Sequence, residues 1–86
     1  MTKLEAIDDI RKALLELIPV KNSVADDDAA TQTFQNTFER LVDRFYQETH
    51  EILAYPQYQA AKNDPEYLME LVLLAYRYYK DKSLLH

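Results

Sequence analysis

No glycine occurs anywhere in this chain of 86 residues. Glycine is the residue that most easily takes positive φ, which tight β-hairpin turns require and which many helix C-caps use. Its absence argues against a fold built from hairpins and against a glycine-rich phosphate-binding loop. The sequence therefore predicts an all-α fold.

Cysteine is also absent, so neither a disulfide nor a thiolate metal site is expected to stabilise the chain. A domain of this size buries only about 60–65% of its unfolded surface, so helix packing has to supply the stability. We expect one domain, residues 1–86, folded as an antiparallel four-helix bundle with a short third helix. The predicted helices are residues 2–18, 27–54, 56–62 and 65–82, and a tail follows at residues 83–86.

Proline and capping residues set the predicted boundaries. Pro19 disfavours helical geometry in the residue before it and is expected to end the first helix. Ser23 and Asp26 have the spacing of a capping box ahead of the second helix. Asp64 followed by Pro65 is typical of a helix start, with aspartate as the N-cap and proline in the first turn.

Apolar residues recur at helical spacing and predict which faces are buried. The polar residues of each helix fall on the opposite side. The predicted core consists of Ile7, Ile10, Leu14, Leu17 and Ile18 in the first helix, Phe34, Phe38, Leu41, Val42, Phe45, Ile52 and Leu53 in the second, and Leu68, Val72, Ala75 and Tyr79 at the centre of the fourth face.

The net charge of −5 is unevenly distributed. Residues 1–55 carry 11 acids and 6 bases, whereas residues 56–86 carry 4 of each. Nucleic acid is not expected as a partner, because binding to phosphates needs a basic surface. A cationic peptide or protein remains a candidate, beside the simpler explanation that the acidity keeps the protein soluble.

The side chains that could bind a metal or catalyse a reaction form no recognisable pattern. Asp43, Gln47, His50 and Glu51 lie close together on the second predicted helix, but a dinuclear bundle site needs Glu-x-x-His from two helices. The acidic triplet at residues 26–28 lacks the central glycine and later glutamate of a calcium loop, and we interpret it as a helix start. We expect no enzyme activity, no cofactor and no metal site.

The fourth predicted helix has an apolar sector about twice as wide as the roughly 100° that a packed surface helix needs. Either this helix is covered on several sides or part of it meets a partner, and the sequence leaves both explanations open. Leu73, Arg77 and Lys80 fall in its polar sector, Tyr76 lies at the edge, and Lys82 follows in the basic end. These five are the candidate partner-binding residues.

The chain resembles the immunity proteins that protect lactic acid bacteria and streptococci from pediocin-like (class IIa) bacteriocins, the enterocin A immunity family. The resemblance covers most of the chain. It lies in the length, the absence of cysteine, the four-helix pattern, the long helix from Phe34 to Leu53, and the last helix, rich in tyrosine and leucine, that ends in Tyr78-Tyr79-Lys80-Asp81-Lys82. Many relatives have a longer C-terminal tail, so the cognate bacteriocin stays open.

This resemblance implies a cytoplasmic protein of the producer cell. Such a protein recognises the complex of the bacteriocin with its membrane receptor, the mannose phosphotransferase permease, and its C-terminal half carries the specificity. Lys80 and Lys82 could also reach acidic headgroups, so peripheral contact with the inner face of the membrane belongs to the same expectation. No apolar run approaches the roughly 20 residues of a membrane span, and the first residues do not form a signal peptide.

Two other functions are alternatives to bacteriocin immunity. The segment Leu53-Ala54-Tyr55-Pro56 is similar to the Tyr-Pro element of the immunity proteins of nuclease colicins, which inhibit nuclease toxins. The lack of glycine and of an acidic patch beside Tyr55 counts against that function. The other alternative is a non-catalytic adaptor or regulatory module that docks on another helix.

Overall fold

The computed structural model describes residues 2–23 and 26–84, the last of these by its backbone alone. In this part of the chain there are four helices and no strand, which confirms the predicted all-α bundle with a short third helix. The helices are α1 (Lys3–Ser23), α2 (Asp28–Thr49), α3 (Tyr55–Ala61) and α4 (Pro65–Leu84). They pack into an elongated body of 49 × 24 × 19 Å.

The predicted end of the first helix at residue 18 is wrong, because α1 continues through Pro19 to Ser23. A proline inside a helix leaves the carbonyl four residues earlier without its donor. That carbonyl belongs to Leu15, and both Leu15 and Pro19 are exposed, so water can bind it. Leu17 and Ile18 pack against the core and hold this part of α1 in place.

The start of α2 also differs from the prediction. Its N-cap is Asp27, whose carboxylate accepts a hydrogen bond from the backbone N–H of Ala30 at 3.1 Å. Ser23 does not take part, since its hydroxyl donates to the backbone oxygen of Val20 within α1. The remaining residues of the predicted linker, 24 and 25, lie outside the described residues.

The second helix ends at Thr49, five residues earlier than predicted. The hydroxyl of Thr49 donates to the backbone oxygen of Phe45 at 2.6 Å, an interaction that tends to bend or weaken a helix. The backbone oxygen of Thr49 accepts from the N–H groups of both Ile52 and Leu53. A turn therefore replaces the last predicted helical turn; it buries Leu53 in the core and leaves Ile52 exposed, contrary to its predicted burial.

The predicted start of α4 is confirmed in detail. The carboxylate of Asp64 accepts hydrogen bonds from the N–H groups of Glu66 and Tyr67, each at 3.1 Å, and Pro65 is the first residue of the helix. The helix runs two residues beyond the predicted end, so the first half of the predicted tail is helical. The second half, residues 85 and 86, lies outside the described residues. For α3 the bounds differ from the prediction by one residue at each end.

Helix α1 runs antiparallel to both α2 and α4. At one end, the Nζ of Lys3 donates to the backbone oxygen of Glu48 at 2.5 Å and lies 5.7 Å from the centre of the Tyr79 ring. At the other end, Lys21 lines a small cavity with residues from the starts of α2 and α4. The helices α2 and α4 are therefore parallel, and α1 packs along the seam between them.

The core lies where the buried faces of α1, α2 and α4 meet. Most of the predicted core is buried there, including Ile7, Ile10, Leu14, Phe38, Val42, Phe45, Leu68, Val72 and Ala75. On the far side of the seam lies α3, which has seven residues against twenty in α4. At about 1.5 Å of rise per residue, α3 spans about a third of the length of α4 and covers only part of the seam.

Candidate protein-interaction surface

A groove opens where α3 fails to cover the seam. Its floor is formed by Phe45 and by Thr49, which is fully buried within the chain. One side is the turn that contains Ile52 together with Gln57 of α3, and the other is the flank of α4 that carries Leu74 and Tyr78. The groove encloses about 290 Å³, close to the lower end of the volumes found for binding pockets. We call it the seam groove.

The lining of the seam groove is mostly apolar; Thr49, Gln57 and Tyr78 are its polar residues. None of the described residues that line it is charged. The hydroxyl of Thr49 is already bonded to the oxygen of Phe45, so the floor offers no free donor. At the rim, Leu74 is 62% exposed, and Ile52 and Tyr78 are exposed as well. An aliphatic or aromatic side chain is therefore the ligand group that this site fits.

The sequence did not predict the seam groove. Leu74 and Tyr78 belong to the wide apolar sector of the fourth helix, and Ile52 belongs to the predicted core face of the second. The one signal present in the sequence was the excess width of the apolar sector of α4. That signal indicates an extra contact but not where the contact lies, because the position depends on how α3 is placed.

Four of the five predicted partner-binding residues do come together. Leu73, Tyr76, Arg77 and Lys80 line one shallow depression on the outer side of α4. Leu73 is 51% exposed, Arg77 and Lys80 are exposed, and Tyr76 is partly buried against the core. Lys82 lies apart from them, with its Nζ 5.9 Å from the centre of the Tyr78 ring.

Tyrosines form a cluster where α3 packs on α2. The rings of Tyr46 and Tyr58 stack with their centres 4.3 Å apart, and Tyr55 is tilted against both. The hydroxyl of Tyr58 donates to Asp43 at 2.5 Å, and this hydrogen bond raises the pKa of Tyr58. Lys62 places its Nζ 4.6 Å from the centre of the same ring. These contacts attach α3 to α2, so the cluster supports one side of the seam groove.

Tyr79 carries a hydroxyl into the core and pairs it with an acid. The hydroxyl donates to the Oε1 of Glu51 at 2.5 Å. Burial together with this hydrogen bond raises the pKa of Tyr79, and the same bond lowers the pKa of Glu51. On α1, hydrogen bonds from Arg11 and, to a lesser extent, from Lys12 lower the pKa of the partly buried carboxyl of Asp8. The Tyr79–Glu51 bond joins α4 to the turn after α2, beside an open cavity that Lys3 and Lys82 also line, and the pairs of Asp8 lie within α1.

The side chains near His50 that the sequence offers as possible metal ligands form other contacts in the structure. Asp43 is bonded to Tyr58, Glu51 to Tyr79, and the Nδ1 of His50 lies 3.1 Å from the backbone oxygen of Gln47. Within residues 2–23 and 26–84, no group of three or more histidine, aspartate or glutamate side chains is arranged to hold a metal ion. Over the same residues, no helix has both the length and the apolarity that a membrane span requires.

Comparison with known proteins gives no match: no protein-family model, curated sequence or solved structure is significantly similar to this chain.

Proposed function

We propose that this chain is a non-catalytic protein-binding module, and specifically a bacteriocin immunity protein that acts by binding the complex of a pediocin-like bacteriocin with its membrane receptor. The binding function is supported by the seam groove. The choice of an immunity protein is supported by the resemblance of the chain to the enterocin A immunity family, and action in the cytoplasm of the producer cell is part of this proposal.

One observation carries the binding function: the seam groove presents an apolar surface that no part of the described chain covers. Leu74 and Tyr78 lie on α4 and Ile52 on the turn opposite, so a side chain entering between them would be surrounded on three sides. Interface hot spots are often single large apolar side chains seated in such pockets. The site is therefore suited to anchor one residue of a partner protein.

The partner that fits is a cationic protein or peptide with an exposed aliphatic or aromatic side chain. The net charge of −5 attracts a basic partner and speeds the encounter. Because the described lining of the groove is uncharged, this attraction acts at long range, and the apolar anchor supplies the local affinity. In the proposed function, the bacteriocin–receptor complex provides that anchor.

The direct test of the immunity function is whether the chain protects a sensitive bacterial strain from a bacteriocin. The unmodified chain is expressed in the cytoplasm of a sensitive strain, which is then challenged with a panel of pediocin-like bacteriocins. We expect survival against at least one of them. If no member of the panel is resisted, the immunity assignment is wrong, and an adaptor or regulatory module becomes the better description.

The groove is tested by Leu74→Glu, which places a carboxylate on its wall. Losing a hot spot of about 2 kcal/mol would weaken binding roughly thirtyfold, so protection should be lost. Leu15→Glu is the matched control, because Leu15 is 51% exposed on α1, outside the groove. Both variants should keep the melting temperature of the parent within a few degrees. Equal protection by the two variants would show that the groove is not the binding site.

A second candidate function rests on a different observation. Tyr55 is 57% exposed beside Pro56, at the start of α3. If the chain inhibits a nuclease toxin, the alternative indicated by the Tyr-Pro element, we infer that this tyrosine contacts the nuclease. That function requires tight binding to a soluble basic nuclease and its loss in Tyr55→Ala, whereas the immunity function requires neither.

A further inference from the structure

The outer face of α4, opposite the core, has an order of charges that is complementary to itself. Glu66, Glu70, Leu73, Arg77 and Lys80 recur at alternating spacings of four and three residues, which places them on one continuous stripe. All five side chains are exposed. Read from the start of the helix, the stripe has two acids, then leucine, then two bases.

Interactions within one copy do not account for this order. Glu66 and Glu70 are like charges four residues apart, which disfavours the helix slightly. Among the described residues, none of the four charged side chains forms an ion pair. The helix dipole favours acids in the first turn and bases in the last, but Glu70 and Arg77 lie beyond those turns. It also gives no reason for an exposed leucine between them.

We propose that this stripe binds the same stripe of a second copy of the chain, in an antiparallel contact with two-fold symmetry. In such a contact each surface meets itself. An axis passing between Leu73 and Leu74 would place Glu70 of one copy opposite Arg77 of the other. It would place Glu66 opposite Asp81, one residue from Lys80, so the two symmetric Glu70–Arg77 pairs are the charge contacts on which the proposal depends.

The two leucines supply the apolar centre of this contact. Leu73 and Leu74 are adjacent in sequence, both more than half exposed, and flanked on each side by the charges that would pair across the axis. A contact made by one helix from each copy is small, and small interfaces are weak. We therefore expect a dissociation constant of roughly 10–1000 µM.

This inference goes beyond the proposed function and uses a surface that shares Leu74 with the seam groove but is otherwise distinct from it. Tyr78 lies on the flank of α4 that lines the seam groove, and Ile52 lies on the turn opposite, so both are away from the stripe. Leu73, Arg77 and Lys80, predicted from the sequence as partner-binding residues, would serve self-association. A chain that protects cells but never dimerises would overturn only the dimer, and a chain that dimerises without protecting would overturn only the proposed function.

The test is sedimentation equilibrium of the unmodified chain from about 10 µM to about 1 mM, the range in which an interface of this size associates. The average mass should rise from monomer towards dimer across this range. It should rise less in high salt, which screens the charge pairs.

Charge reversal gives the decisive comparison. Glu70→Arg places arginine opposite arginine, and Arg77→Glu places acid opposite acid, so each single variant should dimerise at least tenfold more weakly. The double variant Glu70→Arg/Arg77→Glu restores opposite charges across the axis and should regain the parent's affinity. Leu15→Glu, on α1, should leave the association unchanged.

A monomeric mass at every concentration would overturn the proposal. So would a double variant that associates as weakly as the single ones, because that result would show that the charges do not meet across an axis. The melting temperature of each variant checks that the fold is intact; since the substituted residues are exposed, we expect changes of a few degrees at most.

Discussion

Thr49 and Tyr79 bring hydroxyl groups into an otherwise apolar core, and each hydroxyl has one hydrogen-bond partner. Among the described residues, no buried side-chain nitrogen or oxygen is left without a partner. Leaving such a group unpaired costs about 1–3 kcal/mol, so these two bonds protect a small core from a large loss. The partner of Tyr79 is an acid, and stability should therefore depend on pH.

Glu51 should contribute to stability above its ordinary pKa of 4.5 and lose that contribution in acid. The hydrogen bond from Tyr79 lowers the pKa of Glu51 in the folded chain, so the unfolded chain binds the proton more tightly. Protonation then favours unfolding as the pH falls below about 4.5. Glu51→Gln, which keeps an oxygen for Tyr79 to bond, should show a smaller fall in melting temperature between about pH 6 and pH 3.

Part of the acid dependence should remain in this variant. The pKa of Asp8 is also lowered, by Arg11 and Lys12, and its contribution is lost over the same range of pH. Asp8→Asn and the double variant separate the two carboxyls. If Glu51→Gln melts with the pH profile of the parent, the bond from Tyr79 does not favour the charged form of Glu51.

At the scale of the helices, the first residue of a helix could be predicted from the sequence more accurately than its last residue. Asp64 and Pro65 specify the start of α4 locally, through a cap and a fixed φ, and the structure has that start. The ends of α1 and α2 depend on contacts with other helices. Leu17 and Ile18 keep α1 helical through Pro19, and the burial of Leu53 is achieved by a turn.

Pro19 therefore reduces the stability of α1, and Pro19→Ala should increase it. Proline in the interior of a helix costs about 3 kcal/mol relative to alanine, although it also restricts the unfolded chain by about 0.4–1 kcal/mol. Only one turn of α1 follows Pro19, so we expect a net gain of about 1 kcal/mol, or a rise in melting temperature of about 4–8 °C. A lower melting temperature would contradict this expectation and would mean that the restriction of the unfolded chain by Pro19 outweighs its cost in the helix.

At the scale of the whole molecule, the fold class could be predicted but the site could not. The helical spacing of apolar residues predicts that Leu68 and Val72 lie in the core, as they do. This prediction succeeds because the buried face of a helix can be inferred from the sequence of that helix alone. Whether Leu74 is covered depends on where a neighbouring helix lies and how long it is. The antiparallel path predicted for four helices is present, yet the short α3 leaves α2 and α4 in contact and one flank of α4 open.

The shortness of α3 should also make it the least protected helix against amide hydrogen exchange. Isolated helices of fewer than about 12 residues are marginal in water, and α3 has seven residues, held mainly by the stacking of Tyr58 on Tyr46. Its amides should exchange faster than those near Ile10 and Leu14 in α1, as measured by mass spectrometry. Equal protection would mean that α3 opens only when the whole chain unfolds.

Detachment of α3 would lower one wall of the seam groove without unfolding α1, α2 or α4. The shape of the seam groove would then depend on the equilibrium between attached and detached α3. A partner that contacts α3 would bind the form in which α3 is attached, and would slow the hydrogen exchange of the α3 amides. A partner that needs a wider groove would bind the form in which α3 is detached, and would speed that exchange. The exchange rate of this one helix would report which of the two shapes the partner selects.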